Sequence, residues 1–362
     1  MAMTEALMMQ RLAAFSPPTK EGCATRLTPA PFVKPDASEA EKAAAQHKKA
    51  VYMQNIKQAF ADLTAGRDGD LYLALQPIFQ ISRGDYKLAG LEVLARPYNG
   101  GDAAPMPGMA EWQVQERDAA MAFLEMQLDF VVTSAAKFPG VDISVNVRPD
   151  ELSGAQEKIL QTSKLVRALL VEITEYSPIG DAEIILITSM QSQGVRFALD
   201  DVTKVVDAPS NGYAKSGAHA CSFELGRRLA ELFEVQKLAL PMSAVAYRVK
   251  VYPTPEHAGG KPVPFLEKQI LPHTTGESPS EAILERKREI ESWVSEVRAR
   301  APRTRFVIEA SVHEADLVGK EGLVPEIPGL FDGSFCTQGG YFGGRAFPPE
   351  ELLKCMPSAA TD

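Results

Sequence analysis

Cysteine is scarce and scattered. The four, Cys23, Cys221, Cys336 and Cys355, form no C-x-x-C pair, which removes the case for a zinc ribbon or a disulfide framework and leaves reduced thiols as the expectation. Histidine is missing where it would matter, with none between His47 and His219, so imidazole is not expected to anchor a site in that stretch. No apolar run approaches the roughly 18 residues that a membrane-spanning helix needs. The opening MAMTEALMMQRLAAF is too short and broken an apolar stretch for a signal peptide. No G-x-G-x-x-G follows the first strand-like run and no G-x-x-x-x-G-K-[ST] occurs anywhere, so dinucleotide and P-loop readings lose their main support. Positive charge is in deficit. The net charge of -9 argues against a protein built to grip a DNA or RNA polymer. The expectation is a soluble cytoplasmic protein with no membrane partner.

What is present is an alternation. The 362 residues, 45% hydrophobic, suffice for one large α/β barrel or two smaller domains. Residues 1–43 are rich in Ala, Pro, Thr and Lys without a sustained period and read as a flexible N-terminal tail. Tyr52, Ile56, Phe60 and Leu63 then form one apolar stripe at helical spacing. Strand-like runs follow at LYLALQPIF (71–79), KLAGLEVLAR (87–96), DISVNV (142–147), LLVEIT (169–174), GVRFALDD (194–201), YRVKVY (247–252), TRFVIEA (304–310) and near FCTQGGYFG (335–343). Helical stretches are expected around 109–137, 181–192 and 222–233, and before 304, where Ile283, Ile290, Val294 and Val297 share a face. Eight strands alternating with helices favour a closed (β/α)8 barrel over an open doubly wound sheet.

The polar residues fall at informative places. Glu92, Asn146, Glu172, Asp200, Asp201 and Glu309 sit in or at the ends of successive strand runs, and in a barrel the C-terminal strand ends converge on one mouth. Five carboxylates and an amide gathered there repel unless cations neutralise them. Oxygen donors without His or Cys suit Mg2+ or Mn2+ better than zinc.

Seven segments, in order, resemble the motifs of the EAL family of cyclic di-GMP phosphodiesterases: QPIF (76–79), EVLAR (92–96), SVNVRP (144–149), VEITE (171–175), GVRFALDD (194–201), VIEASV (307–312) and TQGGYFG (337–343). The resemblance spans roughly residues 50–350. It implies a modified TIM barrel that hydrolyses cyclic di-GMP to pGpG with two divalent metals. It also implies metal ligation by Glu92, Asn146, Glu172, Asp200, Asp201 and Glu309, with Glu92, Asp201 and Glu309 in the catalytic set. Gln76, Arg96, Glu175 and Gln338 would contact or brace the ligand. A lysine is expected on the sixth strand to hold the attacking water, and Lys250 in YRVKVY is the choice over Lys237 and Lys204. A homodimer and a protein signalling partner are further expectations of the resemblance.

Some positions depart from the pattern. The family's D-D-F-G loop reads DDVT (200–203), and Tyr252, Ala310 and His313 replace an aspartate, a glycine and a glutamate. On this reading the barrel domain covers 44–355, with insertions at about 203–245 and 253–280 and a C-terminal tail at 356–362. The competing reading is a catalytically inactive EAL domain that acts as a cyclic di-GMP receptor or as a protein-interaction module.

Overall fold

The computed structural model describes residues 38–82, 85–98, 116–174, 177–202, 221–240, 279–310, 332–339 and 346–356, together with Ser16, Pro18, Thr19, Lys20 and Leu27. The first helix among the described residues is α1 (Glu39–Thr64), whose Ser38 cap and Glu41 satisfy each other's backbone donors in a capping box. Among the described residues only its second half is covered: Tyr52, Met53, Ile56, Ala59 and Phe60 pack against Leu71, Ala95, Ala120 and Phe123. The helix begins inside the stretch read from sequence as tail.

Strands β1 (Leu71–Ser82) and β2 (Asp85–Pro97) follow, with two residues between them. So short a link cannot carry a parallel crossover, so β1 and β2 pair antiparallel. From β2 onward the chain alternates: α2 (Arg117–Ala135), β3 (Asp142–Val147), α3 (Leu152–Leu165), β4 (Leu169–Ile173), α4 (Asp181–Gln191), β5 (Arg196–Val202), α5 (Phe223–Arg228), β6 (Val235–Leu240), α6 (Pro279–Arg300), β7 (Arg305–Ala310), β8 (Asp332–Gly339) and α7 (Pro349–Cys355). The eight strands close in sequence order. β2 to β8 run parallel, and β1 is antiparallel to both neighbours. The barrel expected from the sequence is therefore the barrel observed, with one reversed strand.

Strand alternation sorts the core into two layers. Leu91, Val93, Ile143, Val145, Val171, Phe197, Leu199, Leu238 and Phe306 point outward into the main core beneath the helices. Trp293 of α6 lies there too, stacked on Phe223 and edge-on to Phe306. Ile78, Leu170, Ala198, Val235 and Val307 form a separate inner cluster, the apolar floor of the barrel lumen.

Two placements made from sequence are corrected. The sixth strand is Val235–Leu240, paired to β5 on one side and to β7 on the other, not YRVKVY. The segment read as a first insertion at about 203–245 holds α5, a short 3-10 turn and β6 itself, and its residues 203–220 and 241–245 lie outside the described residues. Both segments carry strand-like composition, and only closure against β5 and β7 tells them apart. Residues 241–278, which hold Lys250 and the second insertion, lie outside the described residues.

An ion quartet ties together the N-terminal ends of β3, β5, β6 and β7. Arg196 makes paired hydrogen bonds to Asp142 (2.6 and 3.0 Å) and to Glu234 (both 2.6 Å), and Arg305 reaches the same two acids at 2.6 and 3.1 Å. Burial pushes the Asp142 carboxyl up, but Arg196 and Arg305 together hold it below the usual range. Arg196 likewise holds Glu234 low against its burial. Lowered folded-state values mean stability that is present above the unfolded value of about 4 and lost as pH falls through the folded values. Denaturant melts taken from about pH 6 down to about pH 3 are expected to show this loss, and a shallower loss in Asp142→Asn. Parallel acid profiles for the two proteins would refute the quartet's contribution.

Candidate active site

Four adjacent strands bring the sequence-selected residues together at the other end of the lumen. Glu92 of β2, Asn146 of β3, Glu172 of β4 and Asp200 of β5 all hold inward positions. The Asn146 side-chain amide donates to Glu92 Oε1 at 2.5 Å. Asn146 also stands opposite Glu172 in the β3–β4 ladder.

The centre of the cluster is Lys237, midway along β6. Its Nζ lies 2.9 Å from Glu92 Oε2, 2.5 Å from Glu172 Oε2 and 3.5 Å from Asp200 Oδ1. Lys237 and Glu172 are both 0% exposed. The sequence reading ranks this lysine below Lys250, because Lys250 lies within the strand-like run YRVKVY. Its neighbour Gln236 points outward and donates to Gly226 O at 2.9 Å, fixing β6 against α5. Ser144, not singled out from the sequence, lines the lumen beside Glu172 and Lys237.

If all are ionised, the cluster carries two more negative charges than positive. Burial, with Glu92 as a like-charged neighbour, pushes Glu172 well above the usual carboxylate range, and Lys237 only partly offsets this. Asn146 Oδ1 is buried and has no aligned hydrogen-bond donor among the described residues, and Lys237 and Ser144 only partly offset the burial of the Glu172 carboxylate. Uncompensated oxygens with surplus negative charge are what a hard cation satisfies. Among the described residues, however, no three His, Cys, Asp or Glu side chains form a ready cage for a metal. The three carboxylates converge on an ammonium.

Asp201 departs from strand geometry, with φ +45°, a conformation that costs a non-glycine residue energy and persists where surroundings enforce it. The β5–β6 register slips between Leu199 and Val202. Leu199 and Val202 both face the outer core, so the irregularity absorbs one residue of the alternation just where the Asp200–Asp201 pair must be aimed.

Of the remaining expected residues, Gln76 stands opposite Glu92 on β1 and is 8% exposed. Arg96 lies further up β2, opposite Tyr72. Glu309 and Gln338 hold paired positions across the β7–β8 ladder. Glu175 and Lys250 lie outside the described residues. No described helix is long and apolar enough to cross a membrane.

The fold and its acidic mouth define a modified TIM barrel with one reversed strand, the architecture of EAL domains. No protein-family model and no curated protein matches the chain. Among solved structures it resembles the EAL enzyme Bd1971 in its form bound to cAMP and cyclic di-GMP, at TM-score 0.50 and 14% identity, covering 88% of this chain and 76% of that one. It is also similar to an EAL domain protein from Listeria monocytogenes EGD-e, at TM-score 0.48, 15% identity and coverages of 83% and 96%. A third is the PaMucR phosphodiesterase in complex with cyclic di-GMP, at TM-score 0.45, 17% identity and coverages of 78% and 99%. The fold is the EAL-domain fold, carried by a strongly divergent sequence.

Proposed function

We propose that this chain is a divergent EAL-domain protein that binds cyclic di-GMP at the barrel mouth and hydrolyses it to pGpG with Mg2+ or Mn2+. The observation that carries this reading is the convergence of Glu92, Asn146, Glu172 and Asp200, from four consecutive strands, around Lys237 with surplus negative charge. Two divalent cations held there would lower the pKa of a bound water and neutralise charge on the attacking and leaving oxygens. Glu92, Asn146, Glu172 and Asp200 would hold them, with Asp201 and Glu309 completing the set.

The chain's own residues have definite tasks in this scheme. Asn146 and Lys237 donate to Oε1 and Oε2 of Glu92 respectively, and together fix the orientation of its carboxylate. Lys237 replaces Lys250 as the residue that would hold the attacking water through one of its ammonium donors. Gln76, Arg96 and Gln338 would position the ligand, Arg96 through the fork of its guanidinium on a phosphate. Glu175 would brace the loop after the Asp200–Asp201 pair.

A second reading, a receptor that binds without turnover, is favoured by the DDVT sequence at the end of β5, which lacks the Phe and Gly of the resembled motif. Incubating the protein with cyclic di-GMP and Mg2+ or Mn2+ separates the two. Metal-dependent pGpG that EDTA abolishes is the expected result. Calorimetric binding with no product would make the protein a receptor, and neither binding nor product would sink the proposal.

A further inference from the structure

The β1–β2 hairpin continues beyond the carboxylate cluster as one wall of the mouth. Register and alternation put Tyr72 and Arg96, an opposed pair, on the same face as Gln76 and Glu92, the opposed pair four residues nearer the lumen. Tyr98 extends that face, because its N–H donates to Asp70 O at 3.0 Å just past the last strand pair. The two tyrosine rings meet with centroids 4.9 Å apart at 43°. Burial raises the Tyr72 hydroxyl to about 12, and Arg96 only partly offsets this, so the ring faces its surroundings as a neutral phenol.

The N-terminal segment reaches this wall. Lys20 Nζ sits 5.3 Å from the Tyr98 ring centroid, donates to Gly69 O at 2.7 Å and pairs with Asp68. Leu27 packs on the cluster formed by α1, α2 and the hairpin. A segment that composition marks as tail is thus anchored at two points, one of them at the rim of the mouth.

Neutral aromatic rings flanked by fixed cations suit a planar base attached to a phosphate: the ring offers a stacking face and the guanidinium an anion partner. We propose that Tyr72 and Tyr98, braced by Lys20 from the N-terminal segment, form a base-stacking subsite that seats one guanine of the ligand, with Arg96 at the adjoining phosphate. This rests on the cyclic di-GMP reading above and extends it, since it makes residues before α1 part of the ligand site.

The test is calorimetric titration of the full-length protein with cyclic di-GMP and with cyclic di-UMP, each with Mg2+ and in EDTA. Wild type is expected to prefer the purine ligand. Tyr98→Leu should weaken cyclic di-GMP binding about tenfold and erode that preference, while Tyr98→Phe, which keeps the ring, retains both. Lys20→Met should weaken binding severalfold. Lys20 is on the rim rather than in the core, so this variant carries the test alone if Tyr98→Leu fails to fold by circular dichroism. Undiminished binding in Tyr98→Leu and Lys20→Met, with wild type binding well, overturns the subsite and leaves the functional reading standing. A wild type that binds no cyclic di-GMP overturns the functional reading, and the subsite with it.

Discussion

Replacing Lys237 with methionine is expected to lower the unfolding free energy by about 3–5 kcal/mol, the usual consequence of removing one partner from a buried ion pair. Methionine conserves most of the volume, so the effect is electrostatic. Glu92, Glu172 and Asp200 would then face one another without the ammonium that now lies within 3.5 Å of all three. The variant should regain stability as pH falls, because protonating Glu172 relieves the repulsion. That sign follows from its raised folded-state pKa: the stability it contributes is present below the unfolded value and lost as pH rises through the folded one. Added Mg2+ or Mn2+ should also restore stability, and more in the variant than in wild type. Urea denaturation in EDTA, with and without added metal, measures both effects. Identical melts for variant and wild type would mean that the cluster is open to solvent and that Lys237 does not hold it together.

Glu92→Ala should affect the same cluster in the opposite electrostatic sense. It removes one of the surplus negative charges and leaves Lys237 paired to Glu172 and Asp200, so its cost to stability should be smaller than that of Lys237→Met. The metal-dependent pGpG formation proposed above, in contrast, should fall by more than the roughly 10–100-fold cost of losing a supporting outer-shell group, because a direct ligand of the proposed cations would be gone. Chromatography of the nucleotide products against time measures this. The pairing of a less destabilised, inactive Glu92→Ala with a more destabilised Lys237→Met separates a residue held for its chemistry from one that also holds the structure. Unchanged turnover in Glu92→Ala would end the two-metal assignment.

Much of the site was legible before any coordinates. Glu172 lies within LLVEIT and Asp200 ends FALD, and a carboxylate inside a β-branched run has little reason to be there unless something pairs with it. Since such residues recur on successive strands, barrel closure gathers them at one end, and the structure brings Glu92, Asn146, Glu172 and Asp200 together. Ser144 was quoted only as part of a motif, since a serine in a strand carries no signal of its own. Asp201 was expected beside Asp200, but its left-handed backbone was not, because nothing in the local sequence demands positive φ at an aspartate. Lys20 gave no signal at all. Its partners Asp68, Gly69 and Tyr98 are more than forty residues away, and no periodicity connects them.

The amino-acid sequence by itself determined the alternation of strands and helices, the placement of seven of the eight strands and the oxygen-rich character of the site. These depend on side chains one, two or four residues apart. Two features were left to the tertiary structure. One is the reversal of β1, which follows from the two-residue link to β2 and from the need for β8 to close against it. The other is the identity of the central lysine. VQKLAL and YRVKVY both satisfy the local requirements of a strand, and the more β-branched run is the better local candidate. Only one of them pairs with β5 and β7 at once, with Lys237 opposite Val307 and Ala239 opposite Glu309. Closing a barrel is a condition on all eight strands together, and it selects a register that no single segment encodes.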